Sequence, residues 1–217
     1  MGIVIAVANQ KGGAGKSTVA LNLAHFFSTG RRVLLIDADP QGSLVAWRGL
    51  RQGLPCPTFT VVSMPVPVLH EEIPKLLTQN EVVIVDCPPR LADVTRSALA
   101  ASDLCLMPMA PSAFDILSCN DTMKTIKDAQ MYNSRLRAFA LINRHVVGST
   151  LGVEVGQATS DIGIPTLRTR LGQRVDFVKS LSTGRTVFEY NPDGKAAFEL
   201  AALGNEILEV TRCANAA

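Results

Sequence analysis

The chain has 217 residues, 47% hydrophobic and 18% charged, and its 21 Lys and Arg against 19 Asp and Glu leave a net charge of +2. That length can bury roughly 70% of the unfolded surface, while the near-neutral balance leaves local clustering of cations to decide on nucleic-acid binding. Five cysteines (Cys56, Cys87, Cys105, Cys119, Cys213) without a C-x-x-C pair or a His cluster argue against zinc or an iron–sulfur cluster. No apolar run approaches the roughly 18 residues that span a bilayer, and the chain opens on a strand without a signal peptide, so a soluble cytoplasmic protein with reduced thiols is expected.

The first expected strand is Ile3–Ala8, and Val19–Phe27 reads as the first helix. Between them lies Asn9-Gln10-Lys11-Gly12-Gly13-Ala14-Gly15-Lys16-Ser17-Thr18. Strand, glycine loop, Gly-Lys-Ser and helix form the context of a phosphate-binding P-loop. Glycines let backbone N–H groups converge on phosphate oxygens, and the helix N-terminus adds positive potential there. Lys16 would reach the β- and γ-phosphates, and the Ser17 hydroxyl would ligate Mg²⁺. The pattern departs from G-x-x-x-x-G-K-S/T in one place: Gln10 stands where the first glycine belongs, followed by an additional lysine, Lys11.

The second strand, Arg32–Asp37, ends in Asp37-Ala38-Asp39-Pro40-Gln41-Gly42. In an open α/β sheet the carboxyl ends of strands face the ligand crevice. Two carboxylates there can serve one Mg²⁺ and an attacking water, or simply close an Asp-Pro turn. A helix follows from about Gly42-Ser43 to before Gly53, then a loop through Pro57, a strand at Thr58–Val62 and a helix at Pro67–Gln79. The strand Glu81–Asp86 and its Cys87-Pro88-Pro89 continuation have the form of a metal-holding strand, in which Asp86 would hold Mg²⁺ through its water shell. Next come a helix at Leu91–Ala101, a strand at Asp103–Met107 and a long helix from Ser112, with Asp115 completing a capping box. Ile116, Cys119, Met123 and Ile126 keep the spacing of a core-facing stripe.

The strand Leu136–Ile142 delivers Asn143 to the crevice side. A helix at Gly152–Ile162, an edge strand at Pro165–Thr169 and helices near Arg174–Thr183 and Gly194–Val210 complete the chain. The alternation predicts an α/β fold with a doubly wound, mainly parallel sheet in a single domain over residues 1–217. In the last helix the apolar stripe Leu200, Leu203, Ile207 and Val210 carries acidic neighbours Glu199, Glu206 and Glu209. A membrane-targeting helix is basic on its polar face, so this one is expected to pack on the core. Trp47, His25 and His70 read as structural or solvated. Arg168, Arg170, Arg174, Lys179 and Arg185 form a basic cluster that could neutralise DNA phosphates or be ordinary solvated surface.

The Lys-Gly-Gly-Ala-Gly-Lys loop resembles the deviant Walker A motif of the ParA/MinD superfamily. Gln173–Ser180 and Thr186–Glu189 are similar to small plasmid-partition ATPases of the ParF type, so the likeness covers nearly the whole chain. The resemblance implies a Mg²⁺-dependent ATPase that binds ATP and ADP. Lys11 would be the signature lysine, crossing an ATP-bound homodimer to the partner's nucleotide, with Lys16 acting in its own subunit. Gly12, Gly13, Ala14, Gly15, Ser17 and Thr18 would line the phosphates. Asp39 would position the attacking water, Asp37 would support the metal shell, and Asn143 would touch adenine or cap its own turn. Arg90, bulkier than the family's usual choice, would lie near the dimer face or in solvent. The resemblance further implies non-specific DNA binding on the nucleoid and a ParB- or ParG-like partner, with no membrane attachment. Two alternatives stay open: another cargo (carboxysome, chemosensory cluster, transfer DNA, cellulose synthesis) or a nucleotide-gated scaffold with negligible turnover.

Overall fold

The apolar runs of the sequence become strands of one sheet because each is long enough to pair and too apolar to face water. The structure, a computed structural model, describes residues 2–90, 92–112, 119–146, 159 and 163–214. Strands β1 (Ile3–Val7), β2 (Val33–Asp37), β3 (Thr60–Ser63), β4 (Val82–Asp86), β5 (Leu104–Met109) and β6 (Arg137–Ile142) lie in the order β3-β2-β4-β1-β5-β6, every pair parallel. β2, β4 and β5 are buried at every position, as expected of parallel strands covered on both faces. The helices are α1 (Lys16–Ser28), α2 (Ser43–Gly49), α3 (Leu69–Leu76), α4 (Ala92–Ala100), α5 (Asn120–Tyr132), α6 (Val175–Ser182), α7 (Val187–Tyr190) and α8 (Lys195–Ala214).

Successive strand residues point to opposite faces, so one sequence feeds two cores. Ile5, Val7, Leu35, Ile84 and Leu106 join Leu21, Leu200, Leu203 and Ile207 of α1 and α8. Val4, Ala6, Ile36, Val85 and Met107 join Leu99, Met123 and Ile126 of α4 and α5. The stripe of the last helix is therefore core, as its acidic neighbours implied. α8 approaches α1 closely enough that a Cβ on Gly204 would lie 2.3 Å from the Phe26 ring. No helix among the described residues is long and apolar enough to cross a membrane.

Residues 113–118 of the helix expected from Ser112, with Asp115 and Ile116, lie outside the described residues, as does nearly all of 152–162. The edge strand at 165–169 is only an isolated pairing: the segment follows β6 through bridges Ala140–Thr166 and His145–Gly172. Among the described residues its outward N–H groups do not meet another strand. Arg168 and Thr169 donate to the Glu206 carboxylate (2.7 and 2.8 Å) and Gly172 donates to Glu199 (2.8 Å), so α8 carboxylates cap the sheet edge. The sequence expectations do not include α7, whose start is marked by a capping box of Thr186 and Glu189.

The segment before α7 is fastened to two helices. The Trp47 indole N–H donates to Arg185 O (3.3 Å), and buried Arg51 donates to Gly184 O (2.7 Å) and doubly to Glu189 (2.8 and 2.9 Å). On α1, Asn22 Oδ1 accepts the Val187 N–H (2.8 Å) and the His25 ring meets the Thr186 hydroxyl (3.0 Å). His70 meets Ser97 (2.8 Å), so Trp47 and both histidines hold the fold together.

Candidate functional site

The sheet register brings the site together. Asp86 at the end of β4 lies beside Val7 of β1 on one side and Asp37 of β2 on the other. From β1 the chain passes through Asn9 and the glycine loop into α1, which begins at Lys16. Gly13 (φ 74) and Gly15 (φ 93) take left-handed conformations that L side chains rarely adopt. A Cβ on Gly15 would also lie 2.3 Å from Asn143 Nδ2. The first turn of α1 leaves backbone N–H groups without intrahelical partners and carries the positive end of the helix dipole. An anion seated over residues 12–18 would meet both.

Two charges are buried beside this loop. Lys16 is 7% exposed, and no carboxylate reaches it within salt-bridge distance among the described residues. Burial lowers its pKa, and the nearby carboxylates Asp86 and Asp39 offset that only in part. Asp86 is 1% exposed, and neither carboxylate oxygen receives a hydrogen bond from the described residues. Burial pushes its carboxyl up to about 7; Ser17 and Lys16 pull the other way, while Asp37 and Asp39 push it further up. The Ser17 hydroxyl is near enough for that influence without a hydrogen bond of ordinary geometry. Burying a charge without a partner costs several kcal/mol, about the scale of a whole fold's stability margin. Such a cost is retained where a ligand supplies the missing partners. A bare carboxylate and a hydroxyl beside an ammonium fit a hydrated Mg²⁺ held against phosphate oxygens.

Asp37, expected to support the metal shell, is engaged by backbone donors. Its Oδ2 accepts the N–H groups of Leu44 (2.9 Å) and Val45 (3.2 Å), and its Oδ1 accepts that of Asp39 (3.3 Å). Both oxygens are occupied in organising the turn into α2, which leaves Asp86 as the open carboxylate. Burial raises the Asp37 pKa, and the three backbone N–H groups counter it. Asp39 is half-buried on the turn, with Oδ1 on the Gln41 N–H (3.0 Å). Asn143 is likewise engaged: Nδ2 donates to Ala14 O (2.8 Å) and Oδ1 accepts the Arg144 N–H (2.9 Å). Its amide braces the glycine loop and caps its own turn; an adenine contact would have to share it.

Residues 5–187 match the family described as the CobQ/CobB/MinD/ParA nucleotide binding domain. The chain belongs to that family. It is 31% identical over 215 residues to "Maintenance of carboxysome distribution protein A" of Halothiobacillus neapolitanus, covering 94% of this chain and 95% of the relative. It is 26% identical over 235 residues to "Chromosome-partitioning ATPase Soj" of Thermus thermophilus, covering 94% of each. Among solved structures, cobyrinic acid a,c-diamide synthase from Mycobacterium smegmatis with bound ADP and magnesium aligns with a TM-score of 0.69 at 26% identity, covering 88% of this chain and 92% of that one.

In this CobQ/CobB/MinD/ParA-family chain the basic cluster of the sequence does not stay together as free charge. Arg168 pairs with Glu206 (3.3 Å) and with Glu209, and Arg174 pairs with Glu199 (2.7 Å). Arg170, Lys179 and Arg185 form no ion pair among the described residues. Lys179 is exposed on α6, Arg185 sits half-exposed before α7, and Arg90 is exposed. Reading the sequence also passed over Asn9 and Thr122, which hold the beginning of the glycine loop. Their only local signal is the asparagine that ends β1's apolar run.

Proposed function

We propose that this chain is an ATP-driven partition ATPase of the ParA type, acting as a homodimer on nucleoid DNA. The observation that carries the reading is a pair of buried charges beside the glycine loop: among the described residues, Asp86 has neither oxygen hydrogen-bonded and Lys16 has no carboxylate within salt-bridge distance. Backbone N–H groups of Gly12, Gly13, Ala14, Gly15, Ser17 and Thr18 would hold the phosphates of ATP or ADP, and Lys16 would neutralise the β- and γ-oxygens. Ser17 and Asp86 would hold Mg²⁺, which when bound offsets phosphate charge. Asp39, with one oxygen on Gln41, would orient the attacking water with the other. Lys11 would reach across the dimer to the partner's γ-phosphate, so that hydrolysis opens the dimer. Arg170, Lys179 and Arg185 would carry most of a non-specific, salt-sensitive DNA contact, with Arg168 and Arg174 muted by α8 carboxylates. A ParB- or ParG-like partner on the cargo would stimulate hydrolysis and release the protein from DNA.

The likeness to the Soj partition ATPase supports DNA as the cargo. Relatives named for carboxysome distribution, at 31% identity and at 36% over 121 residues, favour a second reading with the same engine and a carboxysome-type cargo. The test common to both is binding to non-specific duplex DNA with ATP, ADP and no nucleotide across a salt series. ATP-dependent binding that weakens steeply with salt is expected. Absence of binding in every nucleotide state would withdraw the DNA role.

A further inference from the structure

The Asn9 side chain is 2% exposed and fully hydrogen-bonded. Nδ2 donates to Pro108 O (2.8 Å) in β5 and to Cys119 Sγ (3.3 Å) just before α5. Oδ1 accepts the Lys11 N–H (2.9 Å) and the Thr122 hydroxyl (3.5 Å). Thr122, on α5 and equally buried, accepts the Gln10 N–H (2.9 Å) on the same hydroxyl. Two successive N–H groups of the loop are thus tied to side chains whose own positions are set by β5 and α5. Beyond Lys11 this control stops, because Gly12 has open space around its α-carbon and Gly13 has positive φ. The same node borders a cleft lined by Pro88, Arg90 and Thr95, on the segment that follows Asp86.

We propose that Thr122, acting through Asn9 and the Gln10–Lys11 backbone, is a positioning residue that sets the direction in which the Lys11 side chain leaves the loop, on which its reach to a second subunit depends. The inference rests on the reading of Lys11 given above. Its lever is geometric: an ammonium about 6 Å from its α-carbon moves by about 1.5 Å for a backbone rotation of about 15°, enough to spoil a phosphate contact. Lys16 is not subject to this lever, since α1 fixes it. Thr122 should therefore affect subunit association and leave nucleotide binding by one subunit largely alone.

The test measures self-association driven by a non-hydrolysable ATP analogue with Mg²⁺, alongside ADP affinity and melting temperature, in the full chain. Thr122→Val, which keeps the shape and removes the hydroxyl, should weaken self-association by about tenfold or more while ADP affinity stays within about threefold. Thr122→Ser should restore it. Wild-type association by Thr122→Val would overturn the inference. So would a failure of Thr122→Ser to rescue, or a parallel loss of ADP affinity and melting temperature, which would mark a purely structural role. Lys11→Ala separates the two levels. If it associates normally, or if the wild-type chain does not associate, the reading of Lys11 fails; if it is lost while Thr122→Val is normal, only the positioning role fails.

Discussion

Replacing Asp86 by Asn should stabilise the nucleotide-free protein while impairing its site. Asp86 is 1% exposed, accepts no hydrogen bond from the described residues, and has its carboxyl pushed by burial from the ordinary 3.8 to about 7. Ionising it inside the fold then costs about 4 kcal/mol more than in the unfolded chain. The sign follows from proton uptake. Between pH 3.8 and about 7 the folded protein holds the proton that the unfolded chain has released, so stability from this group is complete below 3.8 and is lost as pH rises through about 7. Asn keeps the shape without the charge, but its amide is also left without partners, so a gain of about 2 kcal/mol at pH 8 is the realistic expectation, or about 4–8 °C in melting temperature. The assay is thermal unfolding in EDTA without nucleotide, at steps from pH 5.5 to 8.5. The advantage of Asp86→Asn should grow with pH and level off above about 7, then shrink or reverse with Mg·ADP. Equal stabilities at pH 8, or a difference that ignores pH, would refute the argument that Asp86 is a buried charge awaiting a counter-ion.

Other substitutions probe separate parts of the account. Gly15→Ala should abolish ADP binding in a calorimetric titration, because φ 93 and a contact of 2.3 Å with Asn143 both forbid a Cβ there; binding within threefold of wild type would contradict this. Gly204→Ala should cost about 1–3 kcal/mol in denaturant unfolding by forcing α8 off the Phe26 ring, with Phe26→Leu in the same chain recovering part of it. For DNA, Lys179→Ala and Arg185→Ala should each lower the slope of log affinity against log salt by about one, whereas Arg168→Ala and Arg174→Ala should change it less. Equal slopes for all four would show that the α8 carboxylates do not mute the paired arginines.

Much of the engine was legible because its signals are local. Val82–Asp86 reads as a buried strand from five consecutive residues, and the glycine loop announces itself between a strand and a helix. What the sequence could not distinguish was which strand-ending carboxylate stays open. Asp37 and Asp86 have the same local form, yet Asp37 receives the N–H of Asp39 two residues on and those of Leu44 and Val45 as the chain turns into α2, while Pro88 denies Asp86 a donor two residues on. Asn143 illustrates the second difficulty. Its bond to Ala14 joins residues 129 apart and depends on β6 lying beside β5. The basic cluster illustrates the third, since five cations in a short stretch look like one surface until α8 brings Glu199 and Glu206 against two of them.

The most direct measurement is titration of ADP and of a non-hydrolysable ATP analogue, each with Mg²⁺ and with EDTA, into the wild-type chain and into Lys16→Ala. The account predicts that the wild type binds both nucleotides, that Mg²⁺ tightens binding, and that Lys16→Ala loses at least about tenfold in affinity, more for the triphosphate than for the diphosphate. Nucleotide binding that is indifferent to both Mg²⁺ and Lys16 would contradict it, leaving the two buried charges without the ligand that accounts for them.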